Sequence, residues 1–219
     1  VIVELQVLDK PKIGEFESNG SSLSPVWQWN HNPDHNNWSL LERPGYLRLR
    51  TGRVSTDIYD ARNTLTQRTF GPESGAVVAM DVSNMKNGDV AGLAAFSSRY
   101  GYVAVKRKDN RNYIVMVNNS TGTPQEVESV EIQQNRVYLK VELDYKNRTD
   151  KGYFYYSLDG VTWHAIGNTL QMVYNLEHFM GYRFALFNYA TISSGGYVDF
   201  DYFRIQHRLT GTSQPKAVL

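Results

Sequence analysis

Apolar and polar residues alternate in short runs along most of this chain, each run closed by glycine, asparagine or proline, and no amphipathic helix longer than two turns interrupts them. That pattern is the signature of many short strands joined by tight turns, which fold as a β-sandwich or barrel. Strands are predicted over residues 46–50, after the Pro44-Gly45 turn, and over 75–82 and 91–97. Residues 102–107 and 113–117 flank Asp109-Asn110-Arg111-Asn112 as a hairpin. Further strands are predicted over 137–144, 153–157, 161–166 (after Asp159-Gly160), 183–189 and 197–205, with one helical turn over 175–179. The 183–189 run is apolar on both faces, so its second face needs a loop, a partner or a ligand groove to cover it. Residues 1–13 read as a linker or edge strand, 14–208 as the sandwich and 209–219 as a flexible tail.

Composition narrows the chemistry. At 219 residues the chain suits one large all-β domain. Twenty-three Lys and Arg against 22 Asp and Glu leave a formal charge of +1, which argues against a duplex nucleic-acid binder. There is no cysteine, so disulfides, zinc-thiolate sites and a cysteine nucleophile are excluded. The apolar runs are a few residues long, too short for a membrane-spanning helix. The chain starts on Val1 with no visible signal peptide and reads as a processed or excised piece. Fifteen Tyr, nine Phe and four Trp make 13% aromatic residues. They suit pleated sheets, and together with many asparagines they also suit sugar rings and hydroxyls.

Catalytic patterns are absent. No Gly-x-Ser-x-Gly elbow occurs, and Ser194-Gly195-Gly196 precedes a strand rather than a helix. His31 and His35 stand four apart, but Asn32-Pro33-Asp34 between them breaks the helix that would align them on a metal. No strand carries the paired carboxylates of a sandwich glycosidase: Glu126, Glu128 and Glu131 read as solvated charge, and Glu142 and Asp144 lack a third partner. Asp199 and Asp201 alternate on one strand. A Ca²⁺ clip between Asp201 and Glu15 or Glu17 is one reading of these acids; unrelated surface carboxylates are the other.

Three stretches carry a resemblance: residues 27–34, Trp-Gln-Trp-Asn-His-Asn-Pro-Asp; residues 38–49, with Trp38-Ser39-Leu40 and Glu42-Arg43-Pro44-Gly45; and residues 61–72, from Ala61-Arg62-Asn63 to Gly71-Pro72. Residues 88–93, 156–160 and 199–203 extend it. Over residues 14–206 the chain resembles the C-terminal concanavalin-A-like module of family 43 glycoside hydrolases, the β-xylosidases and α-L-arabinofuranosidases, also classed as carbohydrate-binding module family 91. The resemblance implies an all-β, antiparallel two-sheet jelly roll, without the five-bladed propeller that holds the catalytic carboxylates. It implies a non-catalytic partner of xylan or xylo-oligosaccharides, or else a structural module that packs on the propeller of the same polypeptide and completes its active-site rim. The implied setting is bacterial and extracellular or cell-associated, with no nucleic-acid or membrane partner. Trp29, Asn30, His31, Asn63, Gln67 and Asn188 are the expected ligand-binding residues, and Glu15, Glu17 and Asp201 the expected calcium ligands. On a regular strand Asn63 and Gln67 share the face of Leu65, and Asn188 shares that of Phe184 and Leu186, so each amide either lines a groove or is satisfied in the interior.

Overall fold

The computed structural model describes residues 22–174 and 181–212. Residues 1–13, Glu15, Glu17 and the helical turn expected over 175–179 lie outside them. The described chain forms fifteen strands and two single-turn 3-10 segments, His35–Asn37 and Lys146–Arg148. One sheet has seven antiparallel strands in the order β1 (Trp27–Trp29), β4 (Leu65–Arg68), β14 (Arg183–Ala190), β6 (Asp89–Phe96), β7 (Gly101–Lys108), β8 (Arg111–Asn118) and β9 (Gln125–Ile132). The other has eight: β12 (His164–Ala165), β11 (Lys151–Ser157), β10 (Arg136–Asp144), β5 (Glu73–Asp81), β15 (Tyr197–Gln206), β3 (Leu47–Arg50) and β2 (Trp38–Ser39), with β13 (Leu170–Gln171) beside β11. This is the expected two-sheet antiparallel sandwich.

Alternation explains the layers. Ala91, Leu93 and Ala95 of β6 and Phe184 and Leu186 of β14 point between the sheets, against Val78, Met80, Phe200 and Phe203 of the other sheet. The residues between them point the other way, and they too are buried. Val90, Ala94 and Phe96, with Tyr102, Phe187 and Tyr189, form a second apolar layer on the outer face of the seven-stranded sheet. The chain covers this layer itself. Ile58 and Ala61, from the connection between β3 and β4, are buried on it, and the Tyr59 hydroxyl is hydrogen-bonded to the carbonyl of Ser97. A glycine makes one approach possible: a Cβ on Gly92 would lie 2.3 Å from the Val103 carbonyl and 2.6 Å from the Ala104 Cα.

The outer face of the eight-stranded sheet carries Val77, Tyr155 and Trp163, flanked by Tyr138, Tyr153 and Tyr202. Under them lie Lys140 and Glu142, neighbours on the outward side of β10. The start of the segment expected to be a tail is tied down here: Glu142 accepts from the amides of Thr210 (2.8 Å) and Gly211 (3.0 Å) and from the Thr210 hydroxyl (2.7 Å).

Three sequence expectations shift. β9 falls on the stretch read as solvated charge; it is an exposed edge strand on which Lys106 meets Glu126 and Arg111 meets Glu131. The 161–166 strand shrinks to β12, because Asp159 gathers the amides of Val161 and Thr162 and the hydroxyls of Ser157 and Thr162 into a local loop. Asp199 and Asp201 share the outward face as expected but not a regular register, because it slips between Phe200 and Tyr202 and leaves Asp201 without a cross-strand partner.

Candidate functional site

The six residues expected to bind a ligand divide among three environments. Trp29 ends β1 and packs partly against the core, its ring 5.2 Å from that of Trp38. The Trp38 indole N–H donates to Nδ1 of His35 at 3.1 Å. Two sheet edges, β1 and β2, meet at this aromatic pair. The Asn30 amide donates to the Thr64 carbonyl at 2.9 Å, and exposed His31 donates through Nε2 to the Tyr59 carbonyl at 2.6 Å. These bonds fasten the 30–38 turn to the loop that covers the second apolar layer.

Gln67 is buried and faces the interior with Leu65, its Oε1 without a partner among the described residues. Asn63 does not share that face: it precedes β4, so the regular strand assumed for both residues does not reach it. Its amide instead clamps Asp34, accepting from the Asp34 N–H at 2.9 Å and donating to the Asp34 carbonyl at 3.0 Å. Asp34 caps the first 3-10 turn, taking the Asn36 amide at 3.1 Å and the Asn37 side chain at 2.7 Å. Those two bonds, the backbone one first, hold its carboxyl below the usual carboxylate range.

Asn63 and Asn188 do come together, in a polar cleft of about 240 Å³ that also takes in Asp34, Asn37, Arg50, Thr51, Arg53 and Arg62. Sequence reasoning did not reach the arginines, whose place depends on how the loop returns. Asn188 reaches across the sandwich, donating Nδ2 to the Leu49 carbonyl of the other sheet at 2.9 Å. That bond fixes which way the amide faces and leaves its buried Oδ1 an acceptor without a partner among the described residues. The arginines are partly engaged: Arg53 with Asp60, Arg50 with Glu42, and Arg62 through Nε with the Asn32 carbonyl at 3.1 Å. No aromatic face opens onto this cleft as a platform; Tyr189 lines it but is buried in the second apolar layer.

The acids near the last strand form an ion network rather than an acid–base pair. Arg48 holds Asp199 through Nε at 2.7 Å and Nη2 at 2.8 Å, and Arg43 bridges Asp199 (3.0 Å) and Asp81 (2.8 Å). Asp201 is paired with Arg136. Bonds from Ser83 and Arg43 overcome burial and keep Asp81 below its ordinary value. An Asp81 carboxyl so lowered is ionised near neutral pH and holds no proton to give as a general acid. Among the described residues no group of three His, Asp or Glu side chains could hold a metal ion, and no helix is long and apolar enough to cross a membrane.

Comparison with known proteins agrees with this architecture. Residues 14–206 match the family described as the β-xylosidase C-terminal concanavalin A-like domain. The chain is 30% identical over 202 residues to a β-xylosidase of Formosa agariphila, covering 81% of this chain and 32% of that protein. Among solved structures, a bifunctional GH43-CE protein of Bacteroides eggerthii is 57% identical with a TM-score of 0.87, covering 89% of this chain and 26% of that one. A GH43 glycoside hydrolase engineered to display both endo-xylanase and exo-arabinofuranosidase activity is 34% identical with a TM-score of 0.82, covering 89% and 40%. The chain spans about a third of the length of the curated relatives it matches.

Proposed function

The chain belongs to the β-xylosidase C-terminal concanavalin A-like domain family, and from that premise we propose that it is a non-catalytic accessory domain that docks on the catalytic domain of a family 43 xylan-degrading polypeptide. One observation carries the reading. Phe70, Val173 and Tyr174 are exposed, Tyr174 by 74%, at the end of the sandwich where β4 stops and β14 starts. Thr69 donates to the Tyr182 carbonyl at 2.8 Å and the Val173 amide donates to the Tyr182 hydroxyl at 3.3 Å, which ties the segments carrying Phe70 and Val173 to one residue, while the Phe70 ring lies 5.8 Å from that of His207. The second apolar layer of the seven-stranded sheet, by contrast, is covered by Ile58 and Ala61 of the chain's own loop. An apolar patch at one end fits a partner protein better than a polysaccharide, which needs a flat aromatic face within a polar groove.

A second reading, xylan binding of the carbohydrate-binding-module-91 kind, is favoured by the polar cleft lined by Asn63, Asn188, Arg50 and Arg62, whose amides and guanidinium groups suit sugar hydroxyls. One experiment separates the two. The isolated chain is mixed with insoluble xylan, and separately with the catalytic domain expressed alone. We expect capture by the catalytic domain and little retention on xylan. Retention on xylan that Asn188→Ala abolishes in a folded variant reverses the conclusion.

The calcium clip is a proposal of lesser fit. Of its donors, only Asp201 is among the described residues, and a guanidinium stands where the cation would bind. Excess chelator is therefore expected to leave the melting temperature unchanged; a fall of several degrees, restored by added Ca²⁺, assigns the site.

A further inference from the structure

The polar cleft lies where β3 and β14 end, and its walls are braced from behind. Asn63 clamps the Asp34 backbone by two bonds, and the Asp34 carboxylate in turn holds the Asn37 side chain. Gly52 makes room for that side chain: a Cβ there would lie 2.5 Å from the Asn37 Nδ2. The walls also keep polar capacity in reserve. Among the described residues the side chain of Arg62 is bonded through Nε alone, that of Arg53 through Nη2 alone and that of Asn37 through Nδ2 alone. The remaining guanidinium nitrogens are donors, while Asn37 Oδ1 and the spare lone pairs of Asp34 are acceptors. Its neighbours keep Asp34 ionised near neutral pH, so its carboxylate only accepts.

Charge and size decide what fits. Arg50, Arg53 and Arg62 bring three positive charges, which Glu42, Asp60 and Asp34 offset. A balanced cleft needs no anion and suits a neutral molecule dense in groups that both donate and accept, which is a sugar ring. The volume of about 240 Å³ is below the roughly 300–1,000 Å³ of sites that enclose larger ligands, and no aromatic face is open to carry a second ring. We propose that the cleft seats one terminal, neutral sugar ring of a polysaccharide, with Asp34 and Asn37 accepting from its hydroxyls and Arg53 and Arg62 donating to its oxygens. This rests on the sugar-binding reading above and narrows it from a chain to a single ring. Insoluble xylan, which offers few chain ends, retains such a binder weakly.

The test titrates the whole 219-residue chain with methyl β-xyloside, xylohexaose and glucuronate, followed by protein NMR. Methyl β-xyloside and xylohexaose are expected to bind with dissociation constants equal within a factor of about two, because only one ring is held. Arg62→Met, on an exposed side chain, is expected to weaken both roughly 10-fold and to leave the melting temperature unchanged. Arg53→Met, also on an exposed side chain, serves as the second variant should Arg62→Met fold poorly. If xylohexaose binds far more tightly than the methyl xyloside and the folded variants lose both, the cleft holds a chain; the single-ring inference is overturned and the xylan reading stands. If the sugars bind and neither folded variant weakens them, they are held elsewhere, and the inference falls with the xylan reading intact. Glucuronate binding more tightly than the methyl xyloside would make the cleft an anion site and overturn the inference. If none of the sugars binds, the xylan reading fails and takes the seat with it.

Discussion

Glu142→Ala is expected to lower the unfolding free energy by about 3–5 kcal/mol, the usual penalty for breaking a buried ion pair from one side. Glu142 and Lys140 are 0% and 1% exposed, with Nζ 3.6 Å from Oε1. Lys140 is also 4.7 Å from the ring centres of both Tyr155 and Trp163, and it donates to the Thr210 hydroxyl at 2.8 Å. Burial still presses its affinity for a proton below the ordinary lysine value, against the opposing pull of Glu142. Removing the carboxylate leaves a buried ammonium and strips the acceptor from the Thr210 and Gly211 amides. The double change Lys140→Met with Glu142→Leu should recover most of the loss, since an apolar pair needs no counter-charge. Urea denaturation of the wild type, both single variants and the double variant measures the coupling. A loss below about 1 kcal/mol for Glu142→Ala would show that the C-terminal residues do not depend on it.

Asp89→Asn should work in the opposite direction. Asp89 opens β6 fully buried, accepts the Lys86 amide at 2.8 Å through Oδ2, and has no partner for Oδ1 among the described residues. A Cβ on Gly196 would come 1.8 Å from that Oδ2, so only glycine fits there. Burial pushes the carboxyl up to about 6, against the lowering effects of the Lys86 amide and the charges of Lys86 and Arg107. The folded state therefore holds this proton more tightly than the unfolded chain does. Its contribution is greatest below the unfolded value of 3.8 and is lost as pH rises through about 6. At pH 7 the wild type carries a buried anion, and asparagine removes a penalty of up to about 3 kcal/mol. The gain should shrink between pH 6 and pH 4 and vanish below it. Denaturation curves of both proteins at pH 7.5 and pH 4 check this; equal gains at the two values would remove titration as the cause.

The sandwich was legible because its strands are half-buried and alternate, and because β14 is apolar on both sides, which demanded a cover. Which cover could not be read: Ile58 and Ala61 reach their places only after the loop folds back over the sheet. β9 escaped because an edge strand with little buried on either face has no periodic mark; Val127 between Glu126 and Glu128 looks like any solvated stretch. The site was legible in part. Asn63 and Asn188 were chosen as amides on strand faces and do meet in one cleft, although Asn63 stands before its strand. Gln67 met the same criterion and points inward, since sequence does not say which amide a fold will bury. Lys140 was invisible for the converse reason: a charged residue in a strand pattern is ordinarily read as facing water.

β9 also decides how the molecule meets its own copies. A sheet that ends in an open strand offers its remaining amides and carbonyls to any extended chain. Here that border carries Glu126, Glu128 and Glu131 within eight residues. Glu126 and Glu131 are held by Lys106 and Arg111, and Glu128 accepts the Gly167 amide at 2.7 Å, so a second copy pairing edge to edge would have to desolvate a border laced with charge. Neutralising these three acids would strip that charge from the border, along with the contacts to Lys106, Arg111 and the Gly167 amide, and turn it into a growth point for continuous sheet.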